Sequence, residues 1–170
     1  MTTSDPAQIA RSAAWRRRVA GPPIVALVCS AGGLQALTSV LRSLPAGFPG
    51  AIIVLQHQSP DRPSYLADIL ARNCALPVSA AGHGAVLRAG TVAVVPPGKH
   101  ALVTTGNQLA LISSNHPPPY RPSADLLLTS LALVAARRTI AVILSGGSAA
   151  GQVLLSGDTG HGLPGGDVAG

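Results

Sequence analysis

Short, uninterrupted apolar runs alternate with amphipathic segments between residues 24 and 144 of this chain. Apolar runs bounded by Gly, Pro or Ser are typical of strands buried on both faces of a sheet. Five strands are predicted: Ile24 to Cys29, Ala51 to Gln56, Val78 to Ala80, Thr91 to Val95 and Thr139 to Leu144. Because they alternate with helical segments, we expect an α/β fold, a doubly wound and mostly parallel sheet flanked by helices.

The segments between the strands have apolar residues at helical spacing, with polar residues on the opposite face. Helices are predicted over Leu34 to Leu44, Ser64 to Asn73 and Ser123 to Ala136. Ser123 has the side chain of an N-cap, directly after Pro122. The pair Gly106-Asn107 lies between two further apolar runs, Ala101 to Thr105 and Gln108 to Ile112. This arrangement predicts a β-hairpin.

The two ends of the chain lack this periodicity. Residues 1–21 are polar and basic, have no helix cap and lead into Gly21-Pro22-Pro23, so we expect a flexible leader. Residues 22–151, which hold the predicted strands and helices, form the predicted domain. Residues 152–170 contain six glycines and no sustained period, which predicts an irregular tail and an incomplete C-terminal part of the sheet.

Composition restricts the class of protein. Hydrophobic residues make up 47% of the 170 positions and charged residues only 11%, which is typical of a globular chain with one core. Lys and Arg outnumber Asp by 12 to 6, but the basic residues beyond the leader are scattered without interleaved aromatics, so we expect no nucleic-acid partner. No apolar stretch is long enough to cross a bilayer, which predicts a cytoplasmic protein without membrane insertion.

Neither a metal nor a cofactor is expected. Cys29 and Cys74 are too few for a disulfide framework and lack the spacing of metal ligands, so both are predicted to be small buried residues. The glycines after the first strand do not complete a dinucleotide-binding motif. Four histidines are expected in turns, loops or the tail, exposed to solvent: His83, His100, His116 and His161.

A hydroxyl and an imidazole follow two of the predicted strands. Ser30 comes directly after the first strand and before Gly32-Gly33, and His57 comes directly after the second. The carboxyl ends of parallel strands share one edge of a sheet, so these side chains are candidates for a nucleophile and its general base. The N–H groups of Ala31, Gly32 and Gly33 could hold a developing oxyanion. Alternatively, Ser30 is an ordinary N-cap and His57 is satisfied by a carbonyl or water.

Five segments in this order resemble the catalytic domain of CheB-type protein-glutamate methylesterases of bacterial chemotaxis. They are Ile24 to Leu37, Val54 to His57, Val95 to Gly98, Arg121 to Asp125 and Ile143 to Gly146. The resemblance implies a Ser-His-Asp triad that removes methyl groups from glutamate esters on chemoreceptors and often deamidates receptor glutamines. By the motif match, Ser30 would attack the ester carbonyl and His57 would relay its proton.

The chain departs from the family pattern in its last glycine-rich loop. Ala150 occupies the position of the family's aspartate, and Gly147 stands where an oxyanion-loop methionine is frequent. Asp158 is an alternative source of the missing carboxylate. Arg121 could bind a substrate carboxylate or lie on the surface. We therefore expect weakened turnover.

Two alternatives remain open. The chain could be a catalytically inactive module that binds receptors or a signalling partner, or a truncated remnant. The expected partners are methylated chemoreceptor proteins. The leader of about 21 residues is too short for the receiver domain that usually precedes such domains, so control by phosphorylation would require a separate response-regulator partner.

Overall fold

A parallel sheet with helices on both faces forms the centre of the molecule, as predicted. The computed structural model describes residues 21–113 and 122–144, and the backbone of residues 152–155. Its strands are β1 (Ile24–Cys29), β2 (Ala51–Gln56), β3 (Val78–Ala80), β4 (Val92–Val94), β5 (Lys99–Val103), β6 (Leu109–Ser113), β7 (Thr139–Leu144) and β8 (Gln152–Leu155). Its helices are α1 (Leu34–Arg42), α2 (Leu66–Ala71) and α3 (Ala124–Val134), with 3₁₀ turns at Ala31–Gly33 and Ala136–Arg138.

Within the described residues, six strands form the main sheet in the order β3-β4-β2-β1-β7-β8. The first five are mutually parallel, and β8 pairs antiparallel with β7. The prediction that residues 152–170 are irregular is therefore wrong for Gln152–Leu155. The physical reason is that β8 supplies hydrogen-bond partners to the outer edge of β7, which a glycine-rich composition does not reveal.

The two faces of the sheet carry separate buried clusters. On one face, α1 and α2 pack against alternate residues of the central strands, such as Leu27 and Val54. On the other face, α3 and the β5–β6 hairpin cover the intervening residues, such as Val28 and Leu55. Both central strands are buried along almost their whole length, which explains their uninterrupted apolar sequence.

The hairpin forms with a longer loop than the sequence suggested. The last strand pair is Val103 with Leu109, so five residues, Thr104 to Gln108, make the turn. Asn107 takes a left-handed conformation at φ 55°, and its N–H donates to the Thr104 carbonyl at 3.0 Å. The predicted two-residue turn at Gly106-Asn107 is thus part of a wider loop, because β5 ends at Val103 and β6 begins only at Leu109.

None of the helices in the described part of the chain has the length and hydropathy of a membrane span. The predicted leader lies outside the described residues except for Gly21.

Candidate active site

Ser30 and His57 lie side by side at the carboxyl edge of the sheet. Cys29 and Gln56 form the last pair of β1 and β2. The residues that follow these strands, Ser30 and His57, are therefore adjacent. The His57 N–H donates to the Cys29 carbonyl at 3.0 Å, and Ser30 is still extended at φ −79° and ψ 177°. The main chains of the two residues are therefore separated by about 5 Å, the spacing of neighbouring strands.

Both residues belong to the same face of the sheet. Val28 and Leu55 contribute to the cluster beneath α3 and the hairpin, and side chains two positions apart along a strand share a face. Strand alternation thus assigns Ser30 and His57 to the α3 side. Ser30 is exposed and His57 is half-buried. A hydroxyl beside an imidazole at an accessible sheet edge is an arrangement suited to nucleophilic catalysis.

Two loops lie close together near this edge of the sheet. The segment after β2 packs over the segment after β4, since a Cβ built at Gly98 would lie 3.3 Å from the Cβ of Pro60. The hairpin begins at Lys99 directly after that contact. The start of α3 is fixed beside it, because the Ser123 N–H donates to Nδ1 of His100 at 3.0 Å. The segments after β2 and β4 follow neighbouring parallel strands, so both lie near the strand end that carries His57.

The turn that carries Ser30 is tightly packed. The Gly33 N–H donates to the Ser30 carbonyl at 3.0 Å within the turn, and the oxyanion role predicted for Gly33 stays a prediction. A Cβ at position 33 would lie 2.4 Å from the Cβ of Cys29, which explains why glycine is required there. Ala31 and Gly32 are exposed and remain candidate oxyanion donors.

Gln56 is a residue of the site that sequence reasoning missed. Its side chain is 6% exposed, and its Nε2 donates to the carbonyls of Ser30 at 3.3 Å and Ala31 at 3.2 Å. The signal available in the sequence was a single amide at the end of an otherwise apolar strand, Ala51 to Gln56. Buried amides are rare unless hydrogen-bonded, so this position could have been recognised as an anchor.

Cys29 lies beneath the Ser30 turn as a neutral thiol. Burial raises its pKa from an ordinary value of 9.0 to about 11, and a side-chain hydrogen bond with Gln56 opposes part of that rise. The thiol is therefore not a competing nucleophile at neutral pH. Cys29 is buried as predicted, whereas Cys74 is half-buried.

The prediction that His100 is a solvated loop residue is wrong. It lies in β5, is half-buried, and accepts the N–H of Ser123. The cause is the early start of β5, which brings this position against the beginning of α3. His83 is exposed as predicted, and its Nδ1 accepts the Leu111 N–H at 3.2 Å.

Several predicted site residues lie outside the described residues. They are Arg121, Gly147, Ala150, Asp158, His116 and His161. The roles assigned to them remain predictions. Within the described ranges, no three His, Cys, Asp or Glu side chains are grouped as metal ligands would be.

Comparison with known proteins identifies relatives of this domain. The sequence model of the family described as CheB methylesterase matches residues 25–156. Protein-glutamate methylesterase FrzG of Myxococcus xanthus is 40% identical over 124 residues, covering 73% of this chain and 37% of that protein. Protein-glutamate methylesterase/protein-glutamine glutaminase 3 of Paramagnetospirillum magneticum is 41% identical over 123 residues, covering 72% of this chain and 35% of that protein.

A solved structure shares the fold. The catalytic domain of Thermotoga maritima CheB methylesterase superposes with a TM-score of 0.66 at 30% identity, covering 73% of this chain and 67% of that chain. The chain thus matches a catalytic domain over most of its length. It spans little more than a third of the two curated relatives described above.

Proposed function

Because this chain belongs to the CheB methylesterase family, we propose that it is a serine hydrolase that cleaves glutamate methyl esters on chemoreceptors. The observation that carries the proposal is the register that brings Ser30 and His57 to adjacent strand ends. The functions named for its relatives supply the substrate class.

Ser30 and His57 divide the chemistry between them. The Ser30 hydroxyl attacks the ester carbonyl while His57 accepts its proton, and the resulting oxyanion takes hydrogen bonds from the N–H groups of Ala31 and Gly32. His57 then donates the proton to the departing methoxide, which leaves as methanol. Water, activated by the same imidazole, hydrolyses the acyl-enzyme. With a receptor glutamine as substrate, the leaving group is ammonia.

Turnover is expected to be slow because Ala150 stands where the family has an aspartate. In serine hydrolases, the carboxylate holds the imidazole in the productive tautomer and stabilises the imidazolium. Its loss costs on the order of 10⁴ in turnover but leaves the contribution of the oxyanion donors and substrate binding. The proposed enzyme should therefore turn over slowly, at a rate that can still be measured.

A second candidate function is a receptor-binding or regulatory module without hydrolysis. The same Ala150 favours it, since binding a receptor requires no oriented imidazole. In either case the proposed partners are methylated chemoreceptors.

Methanol release from methylated receptor tests the two functions. We expect slow release by the native chain, none above background by Ser30→Ala, and a gain of roughly 10-fold or more by Ala150→Asp. Equal release by the native chain and Ser30→Ala contradicts the hydrolase. Receptor capture by Ser30→Ala, together with that equality, supports the binding module. Circular dichroism of each variant verifies the fold.

A further inference from the structure

The buried amide of Gln56 directly precedes His57 in the sequence and donates hydrogen bonds to the turn of Ser30. Its Nε2 reaches the carbonyls of Ser30 and Ala31 across the boundary between β2 and β1. The side chain is 6% exposed, so water does not compete effectively for these bonds. The amide thus links the strand that positions His57 to the turn that presents Ser30.

These two bonds determine the orientation of two peptide groups. In a planar trans peptide, the C=O and the following N–H point in opposite directions. Since Gln56 holds the Ser30 and Ala31 carbonyls on its own side, the N–H groups of Ala31 and Gly32 are turned away from it. Ala31 and Gly32 are exposed, so those N–H groups are directed to the accessible side of the turn.

The turn that carries Ser30 is short, and the side chain of Gln56 links it to the sheet. The Gly33 N–H bonds to the Ser30 carbonyl at 3.0 Å, within a 3₁₀ turn of only three residues. The Ser30 side chain caps nothing, so its hydroxyl does not contribute to holding the turn. The Gln56 amide adds two bonds from a rigid strand in the centre of the sheet.

We propose that Gln56 is a positioning residue for the Ser30 nucleophile, holding the peptide groups of Ser30 and Ala31 so that the Ala31 and Gly32 N–H groups face the substrate carbonyl. This inference rests on the proposed function, since it concerns the same site. Gln56 acts through the turn and touches no reacting atom.

The test compares Gln56→Met and Gln56→Leu with the native chain. Methionine and leucine are close in volume to the native side chain, and each removes both donors. The readout is Ser30 modification by a fluorophosphonate, followed by intact mass, with Ser30→Ala as the blank. We expect the maximal modification rate to fall about 10- to 100-fold in both variants, as for loss or misplacement of an oxyanion donor. The half-saturating probe concentration and the midpoint of the acidic limb of the pH profile stay unchanged.

Ser130→Ala is the matched control for a merely structural effect. Its buried hydroxyl also binds backbone, accepting the Val103 N–H at 2.9 Å and donating to the Leu127 carbonyl at 2.7 Å. Its removal should lower the melting temperature without slowing Ser30 modification. Native rates in the Gln56 variants, or equal slowing in Ser130→Ala, overturn the proposal. A shifted acidic limb also overturns it, because Gln56 would then act through His57.

A second measurement separates this proposal from the proposed function. ¹H–¹⁵N NMR spectra of the native chain and of Gln56→Met report the Ala31 and Gly32 N–H groups directly, whether or not the serine reacts. We expect both resonances to move while those of β5 stay in place. If native Ser30 is modified no faster than background, the hydrolase proposal fails. If the Ala31 and Gly32 resonances are unchanged, the positioning role of Gln56 fails.

Discussion

At position 33, the space available to the side chain restricts which residue can be accommodated. Gly33 has φ −81°, a value open to any residue, yet its missing side chain leaves room for Cys29. The sequence shows a glycine pair after a strand, and either glycine could serve a turn or a close approach. Only the packing of the turn on β1 distinguishes Gly33 from the exposed Gly32.

Gly33→Ala should destabilise the domain, because its Cβ would overlap the Cβ and Sγ of Cys29 at 2.4 and 2.6 Å. We expect a loss of about 1 to 3 kcal/mol, typical of overpacking. Gly47→Ala is the control, since nothing lies within 4 Å of a Cβ at that position. Urea unfolding measures both. Equal stabilities of the two variants would contradict the packing account.

Cys29 gives the domain a pH dependence in the alkaline range. Its pKa is raised by burial to about 11, so folding favours the protonated thiol. This contribution is complete below the unfolded value of 9.0 and is lost as the pH rises from there through about 11. Stability should therefore fall more steeply between pH 9 and 11 in the native chain than in Cys29→Ala. Parallel curves of unfolding free energy for the two proteins would exclude this effect.

At the scale of elements, the bounds of β1, β2, β3 and β7 agree with the apolar runs. The helices begin or end a few residues inside their predicted limits. The third, α3, is apolar on nearly every side: Leu127 and Leu131 are buried, whereas Leu133 is 81% exposed. Periodicity could establish that this helix exists, but its buried face depends on where β5 lies.

A guanidinium connects three elements that are distant in sequence. Nη1 of Arg138 donates to the Pro22 carbonyl at 2.7 Å, and Nη2 donates to Oδ1 of Asn107 at 3.0 Å. These bonds tie the turn before β7 to the start of β1 and to the hairpin loop. Burial lowers the pKa of Arg138, but the guanidinium remains charged at neutral pH.

Arg138→Met should therefore loosen the hairpin against the sheet. Loss of hydrogen bonds from a charged donor predicts destabilisation of about 1.5 to 3 kcal/mol. The neighbouring Arg137 is exposed, so Arg137→Met is the control and should change stability by less than about 0.5 kcal/mol. Thermal unfolding with hydrogen exchange of Asn107 measures the effect. Similar losses of stability in both variants would show that the removed positive charge, and not the two hydrogen bonds of Arg138, is responsible.

At the scale of the whole molecule, β1 and β2 contribute to both buried clusters. Leu27 packs on the α1 side and Ile53 on the α3 side, from strands paired along their full length. The two clusters therefore share the central strands β1 and β2, and disruption of one cluster removes packing support from the other. The carboxyl ends of the same two strands carry Ser30 and His57, so the site depends on both clusters.

We expect Leu27→Ala and Ile53→Ala each to cost about 2 to 5 kcal/mol and to preserve one cooperative transition. Leu133→Ala, at an 81% exposed position, is the control and should have little effect. Urea unfolding followed by circular dichroism and by alkylation of Cys29 should give coincident midpoints. Separate midpoints would show that the two faces unfold independently.

The sequence by itself determined the α/β class, the five parallel strands and the candidate pair Ser30 and His57, because apolar runs and the residues that follow them are local properties. Tertiary structure decided what depends on neighbours from other parts of the chain. Gln56 can bond to the turn of Ser30 only because of the register of β1 and β2. His100 is half-buried only because it contacts the start of α3. Likewise, β8 exists as the pairing partner of β7, since a strand is stabilised by the ladder it joins and not by its own composition.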